Sequence, residues 1–103
     1  MEIAETSVFT KEITKLLTDD EYIKLQHFLA EHPKSGDVIK GSGGLRKLRW
    51  NINNSGKSGG IRNIYYHYEE KSLILMIFVY EKNKIEDLTS KQIKLLRKTF
   101  LGD

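Results

Sequence analysis

From Leu45 to Ile52 the side chains alternate: Leu48, Trp50 and Ile52 point one way, Lys47, Arg49 and Asn51 the other. A period of two predicts a half-buried strand. Ile61 to Tyr68, dense in β-branched and aromatic residues, predicts a second strand. Leu73 to Tyr80 is apolar on both faces and predicts a central strand covered on both sides. The polar, Gly-rich stretch 53–60 and the turn Glu69-Glu70-Lys71 are short connections, so these three strands form an antiparallel meander. Elsewhere the period is helical. Thr18-Asp19-Asp20-Glu21 is a capping box, Leu17 and Tyr22 form its staple, and Tyr22, Leu25, Phe28 and Leu29 mark one face. Pro33 biases His32 away from the α region, which predicts a helix over 18–32. Thr89-Ser90-Lys91-Gln92 is a second capping box, with Leu88 and Ile93 as staple and Ile93, Leu96 and Phe100 as buried face, and predicts a helix over 89–100. Ile3 to Ile13, centred on Val8 and Phe9, predicts a first strand. Glycines 36, 41, 43 and 44 around Val38-Ile39 predict irregular loop. The order β-α-β-β-β-α, with an antiparallel sheet and helices packed on one face, describes an α+β fold in a single domain, 1–103.

Composition narrows the function. A chain of 103 residues fits one domain. With no Cys, a disulfide framework, a thiol nucleophile and a Cys-bearing zinc site are excluded. The longest apolar run, Leu73 to Tyr80, is eight residues, whereas a membrane-spanning helix needs about 20. Met1-Glu2-Ile3-Ala4-Glu5 lacks the basic start and apolar stretch of a secretory signal, so a cytoplasmic location is expected. Net charge is only +3, but it is unevenly spread. From Lys34 to Tyr66 there are seven cations (Lys34, Lys40, Arg46, Lys47, Arg49, Lys57, Arg62) and one acid, Asp37. A basic middle within an acidic frame implies one positive face and a polyanionic partner.

Most familiar chemistries find no support. Ser55-Gly56-Lys57-Ser58-Gly59 resembles part of a phosphate loop, but Asn51 stands where the pattern needs its first glycine, and no helix follows. Asn53-Asn54-Ser55 matches a glycosylation acceptor, which has no meaning without secretion. His27 and His32 are five apart rather than the four a helical zinc pair needs, which leaves His67 as a lone candidate base. No Gly-x-Ser-x-Gly elbow occurs. Asp19, Asp20 and Glu21 suit the first turn of a helix, where negative charge favours the dipole.

What remains is cationic and aromatic. Lys47 and Arg49 share a strand face, Arg62 opens the next strand, Lys57 rides the connection, and Tyr80 and Lys82 close the buried strand. A meander brings these side by side, as a surface that binds phosphates and stacks bases requires. Tyr65, Tyr66 and Tyr68 can also be read as sheet-face fillers, and for Tyr66 and Tyr68 that reading is favoured.

The strings Gly36-Asp37-Val38-Ile39-Lys40-Gly41-Ser42-Gly43-Gly44-Leu45-Arg46-Lys47-Leu48-Arg49, Gly56-Lys57-Ser58-Gly59-Gly60-Ile61-Arg62-Asn63-Ile64-Tyr65-Tyr66 and Tyr80-Glu81-Lys82-Asn83 resemble the RelE superfamily of bacterial toxins, closest to its HigB-like branch. The resemblance extends over about 36–96 and includes Asp87-Leu88-Thr89 ahead of the last helix. It implies a compact ribonuclease-like α+β fold and the toxin of a type II toxin-antitoxin system. Such a toxin is an endoribonuclease that cuts messenger RNA in the ribosomal A site, needs no cofactor or metal, and is neutralised by a cognate antitoxin through which it also reaches operator DNA. Carried over by motif, the catalytic positions are Lys47, Arg62, Tyr80 and Lys82, and the RNA-binding positions Arg46, Arg49, Lys57 and Tyr65. Some members carry an arginine where this chain has Asn83.

The residue types suit that chemistry on their own terms. Metal-free RNA cleavage removes a proton from a 2′-hydroxyl, stabilises a phosphorane and protonates the leaving 5′-oxygen. The planar Arg fork matches the phosphorane. A lysine crowded by other cations gives up its proton more readily, so Lys47 or Lys82 is the expected base, with Arg62 at the phosphorane and Arg49 and Lys57 as clamps. Two alternatives use the same basic sheet: a non-catalytic RNA- or DNA-binding module, and a degenerate toxin that only binds antitoxin and operator DNA.

Overall fold

The structure, a computed structural model, describes residues 1–51 and 60–102. Its elements are β1 (Glu2–Glu5), α1 (Ser7–Leu16), α2 (Asp19–Glu31), β2 (Asp37–Val38), β3 (Arg46–Trp50), β4 (Ile61–Tyr68), a 3-10 turn over Glu69–Lys71, β5 (Leu73–Glu81) and α3 (Ser90–Leu101). Both capping boxes form: the Thr18 hydroxyl accepts the Glu21 N–H and the Glu21 carboxylate accepts the Thr18 N–H, and Thr89 and Gln92 repeat the exchange. The fold is α+β, as the sequence implies, and two of its elements depart from the expected order.

The strand expected over Ile3 to Ile13 ends at Glu5. Thr6 then caps a helix: its Oγ1 accepts the Phe9 N–H at 3.0 Å and donates to the Ile77 carbonyl at 2.7 Å. Phe9, Ile13 and Leu17 recur every four residues and are buried together, so helical periodicity prevails over the β-branched Val8. The second departure is the short strand β2, which pairs with β3 inside the expected loop.

The sheet has five strands in the order β1-β5-β4-β3-β2. The meander β3-β4-β5 is antiparallel, but β1 runs parallel to β5, so the sheet is mixed rather than antiparallel throughout. Helices cover both faces, not one. On one face Phe9, Ile13, Leu25 and Leu29 of α1 and α2 pack on Leu48, Ile61, Tyr65, Ile74, Met76 and Val79. On the other, Ile93 of α3 packs with Leu45, Ile64 and Ile77, flanked by Leu96 and Phe100. Each fully buried side chain of this kind contributes roughly 1.5–3 kcal/mol. Burial on both sides is why β5 reads as an unbroken apolar run.

One irregularity decides which way the end of β5 points. Tyr65 pairs with Met76 but Ile64 pairs with Phe78, which leaves Ile77 as an extra residue in β5. Such a bulge resets the alternation of faces. Ile74 and Met76 face the α1–α2 core before it; beyond it Val79 takes that side, and Phe78 and Tyr80 join the α3 side. The Thr6 hydroxyl holds the carbonyl of the extra residue.

The 42–44 turn docks α3 at the other end of the sheet. Arg97 Nη1 donates to the Gly43 carbonyl at 2.8 Å. Gly43 has φ +73°, a left-handed conformation that favours glycine, and a Cβ there would lie 2.7 Å from the Arg97 guanidinium, which would have to move aside.

Candidate functional site

On the α3 side of the sheet three strands present one row. Arg49 pairs with Arg62 across β3–β4, and Arg62 pairs with Tyr80 across β4–β5. The next row toward α3 is Lys47, Ile64 and Phe78. Strand alternation and the bulge together put Lys47, Arg49, Arg62 and Tyr80 on one face, and Lys82 follows β5 directly. Two arginines directly opposite each other destabilise a ladder. An anion lying across the row would offset that repulsion.

Arg62 is only 6% exposed, and its Nη1 donates to the Ile61 carbonyl at 3.2 Å. Tyr80 is 4% exposed. Burial first, and the Asp87 charge second, push its phenol above the ordinary tyrosine value, while Arg62 opposes them. The hydroxyl therefore keeps its proton through the neutral range. Lys47 Nζ lies 3.1 Å from Asp87 Oδ1. That contact is the main reason the Asp87 carboxyl lies below the ordinary carboxylate range, with Lys82 adding to it. Lys82 Nζ donates to the Glu86 carbonyl at 2.8 Å and its N–H to the Gly60 carbonyl, which closes the strand ends around the site.

The structure thus gathers Lys47, Arg49, Arg62, Tyr80 and Lys82. Lys57 lies outside the described residues. Two other expected RNA-binding residues are elsewhere. Arg46 is on the opposite face, where its Nη1 donates to the Lys34 and Gly36 carbonyls at 3.1 and 2.8 Å. Its even number places it with Leu48 and Trp50, not with Lys47 and Arg49. Tyr65, its cross-strand partner, is 0% exposed. The Tyr65 hydroxyl donates to the Pro33 carbonyl and accepts the Gly36 N–H, each at 2.9 Å, so it ties the segment after α2 to the sheet and is closed to a base. A Cβ at Gly36 would lie 2.8 Å from that ring.

The neighbour that the structure gives Lys47 is a carboxylate, Asp87. Asp87 is the residue that sequence reasoning missed. It reads as part of the lead-in to a helix cap, and its partner is forty positions away. His67 pairs with Ile74, five residues along β4 from Arg62, or about 16 Å at strand rise, and so lies outside the site. Among the described residues no three His, Asp or Glu side chains gather as metal ligands do. No helix among them is long and apolar enough to cross a membrane.

No family model matches the chain. Among solved structures it is similar to a double Arg-to-Ala mutant of the Escherichia coli toxin RelE in the free state. The TM-score is 0.61 and the identity 20%, over 82% of this chain and 86% of that one. At that identity the likeness concerns the fold, which is RelE-like.

Proposed function

We propose that this chain is the toxin of a type II toxin-antitoxin system, of the HigB-like branch of the RelE superfamily, and that it cleaves messenger RNA in the ribosomal A site. The observation that carries the reading is the Arg49–Arg62–Tyr80 row flanked by Lys47 and Lys82. It provides a strip of cations, half sunk in the sheet, with a protonated phenol at one end.

On this reading a scissile phosphate lies over Arg62. The 2′-oxygen, losing its proton, attacks phosphorus; the bond to the 5′-oxygen breaks, and a 2′,3′-cyclic phosphate and a 5′-hydroxyl result. Arg62 and Lys47 meet the charge of the phosphorane, where fixed donors act most strongly. Tyr80 supplies a proton to the leaving 5′-oxygen, and Lys82, once it has given its own proton to solvent, accepts the one from the 2′-hydroxyl. Arg49 and Lys57 hold the flanking backbone. Neither a buried phenol nor a lysine is matched to neutral pH as an acid or base. Cleavage of free RNA is therefore slow, and the ribosome supplies the missing factor by holding the message in line. The neutralising antitoxin presents acidic or apolar segments that cover the basic face or block entry to the ribosome by bulk, and through it the complex reaches operator DNA.

The test is cleavage of a defined message by the purified chain, with and without programmed ribosomes. Expected are cuts on ribosomes only, in register with codons, and abolished by Arg62→Ala. Cuts on free RNA would keep the nuclease and remove ribosome dependence. No cuts in either arm, with salt-sensitive RNA binding intact, would identify a binding module.

A further inference from the structure

The segment between β5 and α3 carries one carboxylate into the cationic row. Asp87 Oδ1 accepts the Leu88 N–H at 3.1 Å and lies 3.1 Å from Lys47 Nζ. Lys82 Nζ, on the Glu86 carbonyl, holds the same segment from its other side. The side chain of Asp87 is 67% exposed and that of Lys47 31%. An exposed pair of this kind adds little to folding. A carboxylate at this position also repels an incoming phosphate. What the contact does fix is the position of the Lys47 ammonium.

We propose that Asp87 is a positioning residue for cleavage: it fixes the Lys47 ammonium beside the Arg49–Arg62–Tyr80 row, where charge develops on the phosphorane. The proposal rests on the nuclease reading above. A lysine side chain turns about four bonds, and unheld it spreads its charge over a wide arc of solvent. Anchored through a backbone-braced carboxylate, it stands where the transition state needs it before the substrate arrives, and the cost of ordering is met in advance. The Asp87 charge also helps to keep the Tyr80 phenol protonated.

Two kinetic quantities should then move in the same direction, which a purely structural role does not produce. In Asp87→Asn the maximal cleavage rate on programmed ribosomes falls about tenfold as Lys47 loses its anchor. The half-saturating concentration falls about threefold as the repulsion disappears. Asp87→Glu recovers part of the rate. In a Lys47→Met background Asp87→Asn has no further effect on the maximal rate, because the residue it acts through is gone.

Asp87→Asn cleaving at or above the wild-type maximal rate overturns the proposal and leaves the nuclease reading standing. So does a full additive loss in the Lys47→Met background, or a loss accompanied by a lower unfolding midpoint and weaker saturation. A wild-type chain that cuts nothing overturns both, and is told apart because the failure precedes any substitution.

Discussion

Arg62 and Tyr80 are direct partners across β4 and β5, on the α3 side of the sheet, because β5 holds one residue more than β4 at Ile77. Continued without that residue, the register set by Tyr65 and Met76 would oppose Arg62 to Val79 and turn Tyr80 into the α1–α2 core beside Ile61. The bulge therefore decides whether a phenol stands beside the guanidinium or beneath the helices. Bulges next to active sites re-aim side chains in this way.

Tyr80→Phe separates the hydroxyl from the ring. Cleavage on ribosomes should fall about 10–100-fold while RNA affinity is retained. The raised phenol gives a second readout. The folded state favours the neutral hydroxyl, so its contribution to stability is complete below the ordinary tyrosine value of about 10 and is lost as pH rises through the raised one. The difference in alkaline tyrosinate absorbance between wild type and Tyr80→Phe should show a midpoint above the ordinary value. A midpoint at or below it would remove the basis for calling Tyr80 a retained proton donor.

Arg49→Gln relieves the opposition with Arg62. Urea unfolding should show stability unchanged or increased by about 0.2–1 kcal/mol. RNA affinity should weaken, and the salt dependence of binding should become shallower by about one phosphate contact. A variant both less stable and equally tight for RNA would show that the row serves the fold.

Tyr65→Phe tests the opposite assignment. Losing the hydroxyl leaves the Gly36 N–H and the Pro33 carbonyl without their partner, at about 1–3 kcal/mol of stability. Cleavage per folded molecule should be unchanged. A selective loss of RNA affinity at full stability would return Tyr65 to the binding surface.

Asn63 is 0% exposed on the α1–α2 side of β4, and neither of its amide atoms has a hydrogen-bond partner among the described residues. An orphaned buried amide costs about 1–3 kcal/mol. Asn63→Leu should therefore raise the unfolding midpoint, by about 1 kcal/mol once the tighter fit is counted. A lower midpoint would show that the cavity does not admit the larger branched side chain. Cleavage should be unaffected, because Asn63 points away from the row that Arg62 occupies.

Local physics was legible in the residues. The capping boxes Thr18–Glu21 and Thr89–Gln92 form as read, since each is complete within four positions. Strands β4 and β5 lie where their periods placed them, β3 covers Arg46–Trp50 of the expected Leu45–Ile52, with Ile52 outside the described residues, and alternation alone was enough to put Lys47 and Arg49 on one face and, applied consistently, to send Arg46 to the other. α1 was legible too, in Thr6 and the fourfold spacing of Phe9, Ile13 and Leu17, but the β-branched content near it obscured the period. The rest depended on contacts between distant segments. The parallel pairing of β1 with β5, the extra residue at Ile77, the burial of the Tyr65 hydroxyl against Pro33 and the approach of Asp87 to Lys47 each join residues that no local pattern relates. Propensity and capping are properties of a few consecutive residues and are written in them. Register, facing and ion pairing are set by which segments the closed core brings together, so only the tertiary structure decides that a basic strand, a buried arginine, a tyrosine and an aspartate come side by side.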